Sequence, residues 1–143
     1  MMTGVRHPGV PPARRLLFVC SGNICRSPLA EAIFRHQAGQ AGRASDFELD
    51  SAGTHGYHEG EPADPRARRV GAAHGVAVTS IAREVRESDF ERFDLILAMD
   101  RGHLRELRAR CPAPLRDKIR LMREFGDPPS GDVPDPYYSD GGA

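Results

Sequence analysis

The sequence predicts an α/β fold in which a central, four-stranded parallel sheet is covered by helices on both faces. Apolar runs of strand length alternate with segments of helical spacing, an order that is typical of a parallel sheet. Two of the runs, LLFV and LILAM, are almost continuously apolar, as expected of strands that are buried on both faces. With 143 residues, 39% of them hydrophobic, the chain suits a single domain with one core.

The predicted strands and helices alternate along the chain. The strands are Arg15–Cys20, Phe47–Ser51, Phe93–Asp100 and Asp117–Met122. The helices are Pro28–Ala41, Pro65–His74 and Arg101–Arg110. Pro28 and Pro65 each suit a first helical turn, and each follows a serine or an aspartate that commonly caps a helix. Gly42 and Gly75 are suited to the left-handed conformation that ends a helix.

Charge and cysteine content narrow the class of protein. Twenty basic residues balance twenty acidic ones, which argues against a nucleic-acid binder or a membrane-surface protein. Residues 1–14 are polar and contain prolines, so they are predicted to be a disordered tail before a domain at 15–143, neither a secretory signal nor a membrane anchor. Three cysteines, an odd number, fit a reducing compartment, which predicts a cytoplasmic location; secretion without a signal peptide stays open.

The stretch CSGNICRSP, from Cys20 to Pro28, has the composition of an oxyanion-binding loop. Ligands of open parallel sheets lie outside the carboxyl ends of the strands, where the chain turns into a helix. Successive backbone amides there, including those of Ser21, Ile24 and Cys25, can surround an anion together with the helix N-terminus. Gly22 relaxes the tight path, and the guanidinium of Arg26 matches two oxygens of a phosphoryl group. The lysine and spacing of a nucleotide-binding loop are missing.

Cys20 is the predicted nucleophile of this loop. Amide dipoles, a helix N-terminus and an arginine all favour the thiolate form of a cysteine. A loop that holds an oxyanion around such a sulfur aims it at the central atom, as displacement at phosphorus requires. Taken alone, Cys20 would be better explained as a small buried hydrophobic residue at a strand end. The neighbouring glycine, Arg26 and the serine-proline pair favour the functional interpretation.

The sequence resembles the low-molecular-weight protein tyrosine phosphatase family over Arg15 to Tyr138. The matching motifs are VCSGNICRSPLAEA, SAGTHGYHEGEPADPRA, AHGV, DFERFDLILAMD and DPYY. The C-x-x-x-x-x-R spacing alone is shared by several phosphatase lineages, whereas NICRSP near the start combined with DPYY near the end is highly specific. The resemblance implies a Rossmann-like single domain, phosphotyrosine-containing protein substrates, oxyanion inhibitors in the loop, no cofactor and no metal.

The resemblance also assigns chemical roles. Cys20 forms a phosphocysteine intermediate, Arg26 clamps the phosphoryl group, and Asp135 is the general acid for the leaving phenol and then the general base for water. A phenol has a pKa of about 10 and leaves badly as an anion, so a positioned acid accelerates the step by roughly 10²-fold to 10⁴-fold. From the residues alone, Asp127 and Asp132 in the same segment are equal candidates, and an Asp-Pro turn would also explain Asp135.

Several further residues receive supporting roles by resemblance. Ser27 is both the predicted helix cap and a hydroxyl donor to the sulfur of Cys20. Asn23, Ser51 and His74 are implied to form a hydrogen-bonded support for the loop, although His74 would also suit a helix end. Asp100 falls where relatives carry a carboxylate near the arginine of the loop, and an N-cap would explain it equally well.

The walls of the site predict its substrate class. Tyr57, Tyr137 and Tyr138 are aromatic residues that could flank a phosphotyrosine ring, in a cleft too deep for phosphoserine. Relatives similar to protein-arginine phosphatases carry threonine at the position of Ile24, so isoleucine favours phosphotyrosine. Cys25 is implied to trap oxidised Cys20 as a reversible disulfide, while a packing role is nearly as good an explanation.

Other classes of protein remain as alternatives. A protein-arginine phosphatase and a thiol-dependent arsenate reductase are related scaffolds, but the reductase needs two more clustered cysteines and the chain offers only Cys111, which we interpret as a helix-end residue. A noncatalytic phosphate-binding module would need neither Cys20 nor Asp135. A metal site at His55 and His58 is weaker, because their glycine-rich segment supplies no convincing ligand set.

Two departures from the family pattern affect these expectations. His103 stands where relatives commonly carry asparagine, at the start of the third predicted helix. The sequence ends at SDGGA, whereas relatives usually continue into a final helix that covers one face of the sheet. The usual C-terminal helix is therefore expected to be missing, either because a tail is not part of this sequence or because the domain is unusually short.

Overall fold

The computed structural model describes residues 14–125, in which helices and strands alternate as the sequence predicts. The strands are β1 (Arg14–Cys20), β2 (Phe47–Gly53), β3 (Leu95–Ala98) and β4 (Ile119–Leu121). The helices are α1 (Arg26–Gln40), α2 (Pro65–Ala73), the single turn α3 (Asp89–Arg92) and α4 (Arg101–Arg110). Short 3-10 turns at Ala44–Asp46, Ala113–Lys118 and Met122–Phe125 complete the described part.

The four strands form one parallel sheet in the order β2-β1-β3-β4, which confirms the predicted fold class. β1 lies between β2 and β3, with Cys20 opposite Gly53 and Val19 opposite Ala98. The carboxyl ends of these three strands therefore meet at one edge of the sheet. Ligand sites of open parallel sheets lie at this edge.

The residues of β1 alternate between two hydrophobic clusters, one on each face of the sheet. Leu17 and Val19 pack in the larger cluster, together with residues of α3 and α4 such as Phe90 and Leu107. Leu16, Phe18 and Cys20 pack on the opposite face, where Phe34 of α1 joins them. Because side chains of a strand alternate in direction, a β1 that is apolar throughout requires a helical layer on each face.

The ends of the elements match the sequence-based prediction to different degrees. α4 has the predicted bounds, and α2 is one residue shorter than predicted. Gly42 and Gly75 have φ of 73° and 74°, which confirms the left-handed positions after α1 and α2. β3 is shorter than the predicted Phe93–Asp100, because Phe93 closes the turn of α3 and Asp100 caps α4.

The predicted start of the first helix is wrong by two residues. α1 begins at Arg26 with Cys25 as its N-cap, whose carbonyl accepts the Leu29 amide at 3.2 Å. Ser27 is therefore inside the first turn and makes no capping hydrogen bond. The Ser27 hydroxyl therefore points towards Cys20 at the end of β1 and not along the helix axis.

The predicted tail ends one residue earlier than expected, since Arg14 already belongs to β1. The rest of that tail, and the question of a final helix, lie outside the described residues. Within residues 14–125, no helix combines the length and the apolar character needed to cross a membrane.

Candidate active site

The loop from Ser21 to Cys25 joins the end of β1 to the start of α1 at the functional edge of the sheet. Within residues 14–125, the backbone amides of Ser21, Gly22, Asn23 and Ile24 donate no hydrogen bond to another group of the protein. Backbone amides near a protein interior almost always have an acceptor. Four consecutive donors beside a helix N-terminus are therefore suited to an anion.

Asn23 gives the loop its tight path. It has φ of 59°, the left-handed conformation, and is 1% exposed. Its amide nitrogen donates to the Ser27 hydroxyl at 2.8 Å, and its amide oxygen accepts the Arg83 backbone amide at 3.0 Å. Because the two partners differ in hydrogen-bonding type, they fix which end of the Asn23 amide faces each. Asn23 and not Gly22 carries the left-handed turn of the loop.

The Cys20 sulfur lies 3.0 Å from the Ser27 hydroxyl oxygen, and both residues are buried. The hydroxyl already accepts from Asn23, so its own hydrogen is directed at the sulfur or, at a longer 3.4 Å, at the Ala52 carbonyl. A hydroxyl can donate its hydrogen to a sulfur atom at this distance. The expected pairing of Ser27 with Cys20 is thus present in the geometry, whereas the expected helix cap is not.

Arg26 is held by the carboxylate of Asp100 across the edge of the sheet. Its terminal nitrogen donates to Asp100 Oδ2 at 3.1 Å, and the arginine side chain is 12% exposed. Burial pushes the pKa of Asp100 upwards, but the His103 amide hydrogen bond and the attraction of His103 and Arg26 outweigh it, so that pKa lies below its ordinary value. Asp100 is also the N-cap of α4, so it combines the two expected roles of a helix cap and a carboxylate beside the arginine of the loop.

The segment that follows β2 forms one side of the loop. The His55 backbone amide donates to the Ser21 carbonyl at 2.9 Å. Tyr57 is 79% exposed and stacks on the His55 ring, with ring centroids 5.1 Å apart. The His58 ring covers Gly22, since a Cβ atom on that glycine would lie 2.8 Å from His58 Cδ2. Gly22 is therefore required by the close approach of an imidazole ring.

The predicted hydrogen-bonded support of Asn23, Ser51 and His74 does not form. The Ser51 hydroxyl is buried without a hydrogen-bond partner in the described part of the chain. His74 is exposed and follows the last turn of α2. Asp64, the N-cap of α2, donates its amide to the Ile24 carbonyl at 2.8 Å, whereas His74 is at the opposite end of this nine-residue helix, which is about 14 Å long.

Arg83 supplies the support instead, and sequence reasoning missed it. Its backbone amide donates to Asn23 and its carbonyl accepts the Gly53 amide at 2.8 Å. Its guanidinium donates to Asp89 at 2.9 and 3.1 Å and to Asp50 at 3.1 and 3.2 Å. Sixty residues separate Arg83 from Asn23, and no local spacing signals such a contact.

Gly53 was also missed, although it lies within a motif that carries the resemblance. A Cβ atom there would lie 2.6 Å from the Ser21 carbonyl oxygen and 3.1 Å from the Asn23 nitrogen. Both neighbours are backbone atoms, which cannot move aside as a flexible side chain can. The loop can pass this close to the end of β2 only because residue 53 is a glycine.

We expect Arg83→Met to lower the free energy of unfolding by about 3 kcal/mol, because the nearly buried Asp89 carboxylate loses its partner. Urea denaturation measures this change. Arg92→Met is the matched control, since Arg92 pairs with Glu48 on the surface, and such pairs contribute about 0–1 kcal/mol. Equal losses for the two variants would contradict a supporting role for the Arg83 ion pairs.

The remaining cysteines differ in environment from Cys20. Cys25 is 6% exposed at the N-cap of α1, and within residues 14–125 it forms no disulfide bond with Cys20 or Cys111. Cys111 ends α4, as expected, and donates to the Pro112 carbonyl at 3.4 Å. Burial raises the pKa of the Cys111 thiol, although Arg116 and Lys118 oppose the change. Among residues 14–125, no three His, Cys, Asp or Glu side chains form a group that could hold a metal ion.

Five predicted site residues lie outside the described part of the chain. They are the acid candidate with its two alternatives and the two wall tyrosines: Asp135, Asp127, Asp132, Tyr137 and Tyr138. Their roles stay predictions that rest on the sequence.

The fold and the site together define a class: a parallel α/β protein that presents a cysteine and an arginine to an oxyanion at the end of its first strand. The family described as low molecular weight phosphotyrosine protein phosphatase matches residues 15–142. A low molecular weight protein-tyrosine-phosphatase of Streptomyces coelicolor is 52% identical over 129 residues, which are 87% of this chain and 78% of the relative. The chain belongs to this family, as the sequence resemblance predicts, and is a protein tyrosine phosphatase by class.

Solved structures agree with this assignment. A protein tyrosine phosphatase from Entamoeba histolytica has a TM-score of 0.85 and 46% identity, and the match covers 90% of this chain and 83% of that one. The YwlE arginine phosphatase of Bacillus subtilis, in a mutant with a phosphorylated active-site serine, has a TM-score of 0.79 and 30% identity, over 89% of this chain and 81% of that one. The Rossmann-like fold prediction is thereby confirmed.

Proposed function

We propose that this enzyme hydrolyses phosphotyrosine in proteins through a phosphocysteine intermediate, with Cys20 as nucleophile, Arg26 as phosphoryl clamp and Asp135 as general acid and base. The observation that carries the proposal is the loop itself: four backbone amides, which have no acceptor among residues 14–125, follow the end of β1, next to Cys20 and Arg26. Binding of phosphate alone would need the amides and the arginine but no sulfur.

In the first step, the Cys20 thiolate attacks phosphorus and the bond from phosphorus to the phenol oxygen breaks. The two electrons of that bond go to the oxygen, which takes a proton from Asp135. The loop amides and Arg26 stabilise the negative charge on the three equatorial oxygens. The hydrogen bond that Asp100 accepts from Arg26 holds the guanidinium plane in place for two-oxygen contact.

In the second step, water attacks phosphorus, Asp135 accepts one of its protons, and the bond between sulfur and phosphorus breaks. The thiolate of Cys20 is now the leaving group. The Ser27 hydroxyl, 3.0 Å from the sulfur, stabilises the returning negative charge. Inorganic phosphate leaves and both catalytic groups regain their starting protonation states.

The same site supports aromatic substrates. Tyr57 projects from the segment beside the loop and is exposed, so that an aromatic ring can pack against it. Tyr137 and Tyr138 are proposed to form the opposite wall. Ile24 supports phosphotyrosine over phosphoarginine, on the basis of the family pattern. We also propose a cytoplasmic location, because three cysteines, an odd number, fit a reducing compartment.

The arsenate-reductase alternative is disfavoured by Cys111. A reductase would pass oxidation from Cys20 to further thiols, and an attacking thiol must be accessible as a thiolate. Cys111 is 2% exposed and its burial disfavours the thiolate. We also propose that Cys25 traps oxidised Cys20 as a reversible disulfide. This reaction would protect Cys20 and is not a step of turnover.

The deciding experiment compares three reactions side by side: hydrolysis of a phosphotyrosine peptide, hydrolysis of phosphoarginine, and reduction of arsenate. We expect the wild-type enzyme to favour the phosphotyrosine peptide by kcat/KM, and Cys20→Ser to be inactive in all three. A preference for phosphoarginine would replace the proposed substrate while keeping the chemistry. Arsenate reduction as the fastest reaction, or unchanged activity in Cys20→Ser, would overturn the proposal.

A further inference from the structure

Four side chains form a chain of contacts from the loop to Arg26, two of them hydrogen bonds and one an electrostatic contact, and His103 is at its centre. His103 Nε2 lies 2.8 Å from the Ser21 hydroxyl, the first side chain after Cys20. On the other side of the ring, Nδ1 lies 3.2 Å from Asp100 Oδ1 in an electrostatic contact. Asp100 Oδ2 accepts from Arg26, so the chain joins both ends of the oxyanion loop through one carboxylate.

The His103 ring is enclosed, and its surroundings select its hydrogen-bonding state. The side chain is 7% exposed, which is low for a histidine at the start of a helix. A carboxylate can only accept hydrogen bonds, and the low pKa of Asp100 keeps it ionised. A carboxylate 3.2 Å away favours the tautomer with its hydrogen on Nδ1, although the two atoms are not aligned as a hydrogen bond, and in that neutral tautomer Nε2 accepts the hydrogen of the Ser21 hydroxyl.

Ser21 is fixed at two points as a result. Its carbonyl oxygen accepts the His55 amide at 2.9 Å, and its hydroxyl is bonded to His103. Within the described part of the chain, the amide of Ser21 is one of the four loop amides without an acceptor, so its direction decides whether it can reach an oxyanion. This amide shares a peptide plane with the Cys20 carbonyl, which accepts the Thr54 amide at 2.9 Å, and the held carbonyl and side chain of Ser21 further limit its rotation.

We propose that His103 is a positioning residue of this enzyme, which holds the first amide of the oxyanion loop through Ser21 and, through Asp100, the guanidinium of Arg26. It acts through Ser21 and Asp100, whereas the side-chain partner of the Cys20 sulfur is Ser27.

The inference rests on the proposed function only in taking the loop as the oxyanion site. The experiment therefore measures affinity for tungstate, a tetrahedral oxyanion, by calorimetry, with phosphatase activity as a separate reading. Four variants are needed: His103→Leu, His103→Gln, Ser21→Ala and the double variant Ser21→Ala/His103→Leu. Glutamine is the conservative replacement, because its terminal amide can reach the Ser21 hydroxyl.

We expect His103→Leu to weaken tungstate binding by about tenfold, and His103→Gln by less than about threefold, as expected for loss and rescue of one ordered hydrogen bond. Ser21→Ala should reproduce most of the loss. In the Ser21→Ala background, the added His103→Leu change should cost less than about threefold, because only the contact of His103 with Asp100 is then left to lose. Ser21 is exposed, so Ser21→Ala tests the inference even if His103→Leu does not fold.

A merely structural role predicts a different pattern. His103→Leu would then lower the melting temperature but leave the tungstate affinity of the folded protein unchanged, and glutamine would rescue nothing. Independent, multiplicative losses in the double variant would also overturn the inference. If the wild-type protein binds tungstate with the expected dependence on His103 but hydrolyses no phosphate ester, the proposed function fails and the positioning role stands.

Discussion

Cys20→Ser is expected to lower kcat for phosphotyrosine hydrolysis by on the order of 10⁴-fold or more, while tungstate still binds with an affinity within about threefold of wild type. A serine hydroxyl is not ionised at neutral pH, so no nucleophile remains. The loop amides, the Asn23 turn and the contact of Arg26 with Asp100 are independent of the sulfur. Steady-state kinetics and calorimetry measure the two quantities on the same preparation.

Cys111→Ser is the matched control, since it makes the same atomic change at a buried cysteine on the opposite side of the sheet. We expect it to reduce stability but to leave kcat within about twofold of wild type. Comparable loss of kcat in both variants would show that the effect comes from folding and not from chemistry. Loss of tungstate binding in Cys20→Ser would contradict a loop that is organised without the sulfur.

Asp135→Asn is expected to lower kcat/KM by about 10²-fold to 10⁴-fold for aryl phosphates whose phenol is a poor leaving group. An electron-poor phenol departs without a proton, so an activated aryl phosphate should lose less than about tenfold. The measurement is the slope of log kcat/KM against the leaving-group pKa across a series of aryl phosphates. The slope should become steeper in the variant, because negative charge accumulates on an oxygen that is no longer protonated.

Asp127→Asn and Asp132→Asn are the controls for that assignment, since both carboxylates belong to the same segment of the sequence. We expect either variant to retain the wild-type slope. An equal loss across all leaving groups in Asp135→Asn would remove Asp135 from the acid role. A steeper slope in one of the two control variants would transfer the role to that residue.

The local parts of the site could be predicted from sequence because their geometry is set within a few residues. Cys20 and Arg26 are joined by a short loop between a strand and a helix, so their spacing alone brings sulfur and guanidinium to the same anion site. The bounds of α4 and the cap at Asp64 follow from side chains that act on adjacent amides. Such interactions do not depend on the remainder of the fold.

The errors arose where a local rule competed with a contact from elsewhere. Ser27 has the sequence context of a helix cap, but its hydroxyl is engaged by Cys20 and Asn23, and the helix begins earlier. Gly22 was expected to supply conformational freedom, whereas Asn23 adopts the left-handed turn because Arg83 and Ser27 satisfy both ends of its amide. The expected support at His74 is wrong because that residue is exposed after the last turn of α2, at the end of the helix opposite to Asp64.

By itself the sequence determined the order of strands and helices, the two-sided burial of the sheet and the position of the loop between β1 and α1, because periodicity, capping and spacing are short-range properties. Only the tertiary structure decided what surrounds that loop. Gly53, Arg83 and His103 come from three distant parts of the chain and meet the loop because parallel strands align their carboxyl ends. Contacts across 30 to 82 positions of sequence arise from strand register and chain packing, which no local pattern encodes.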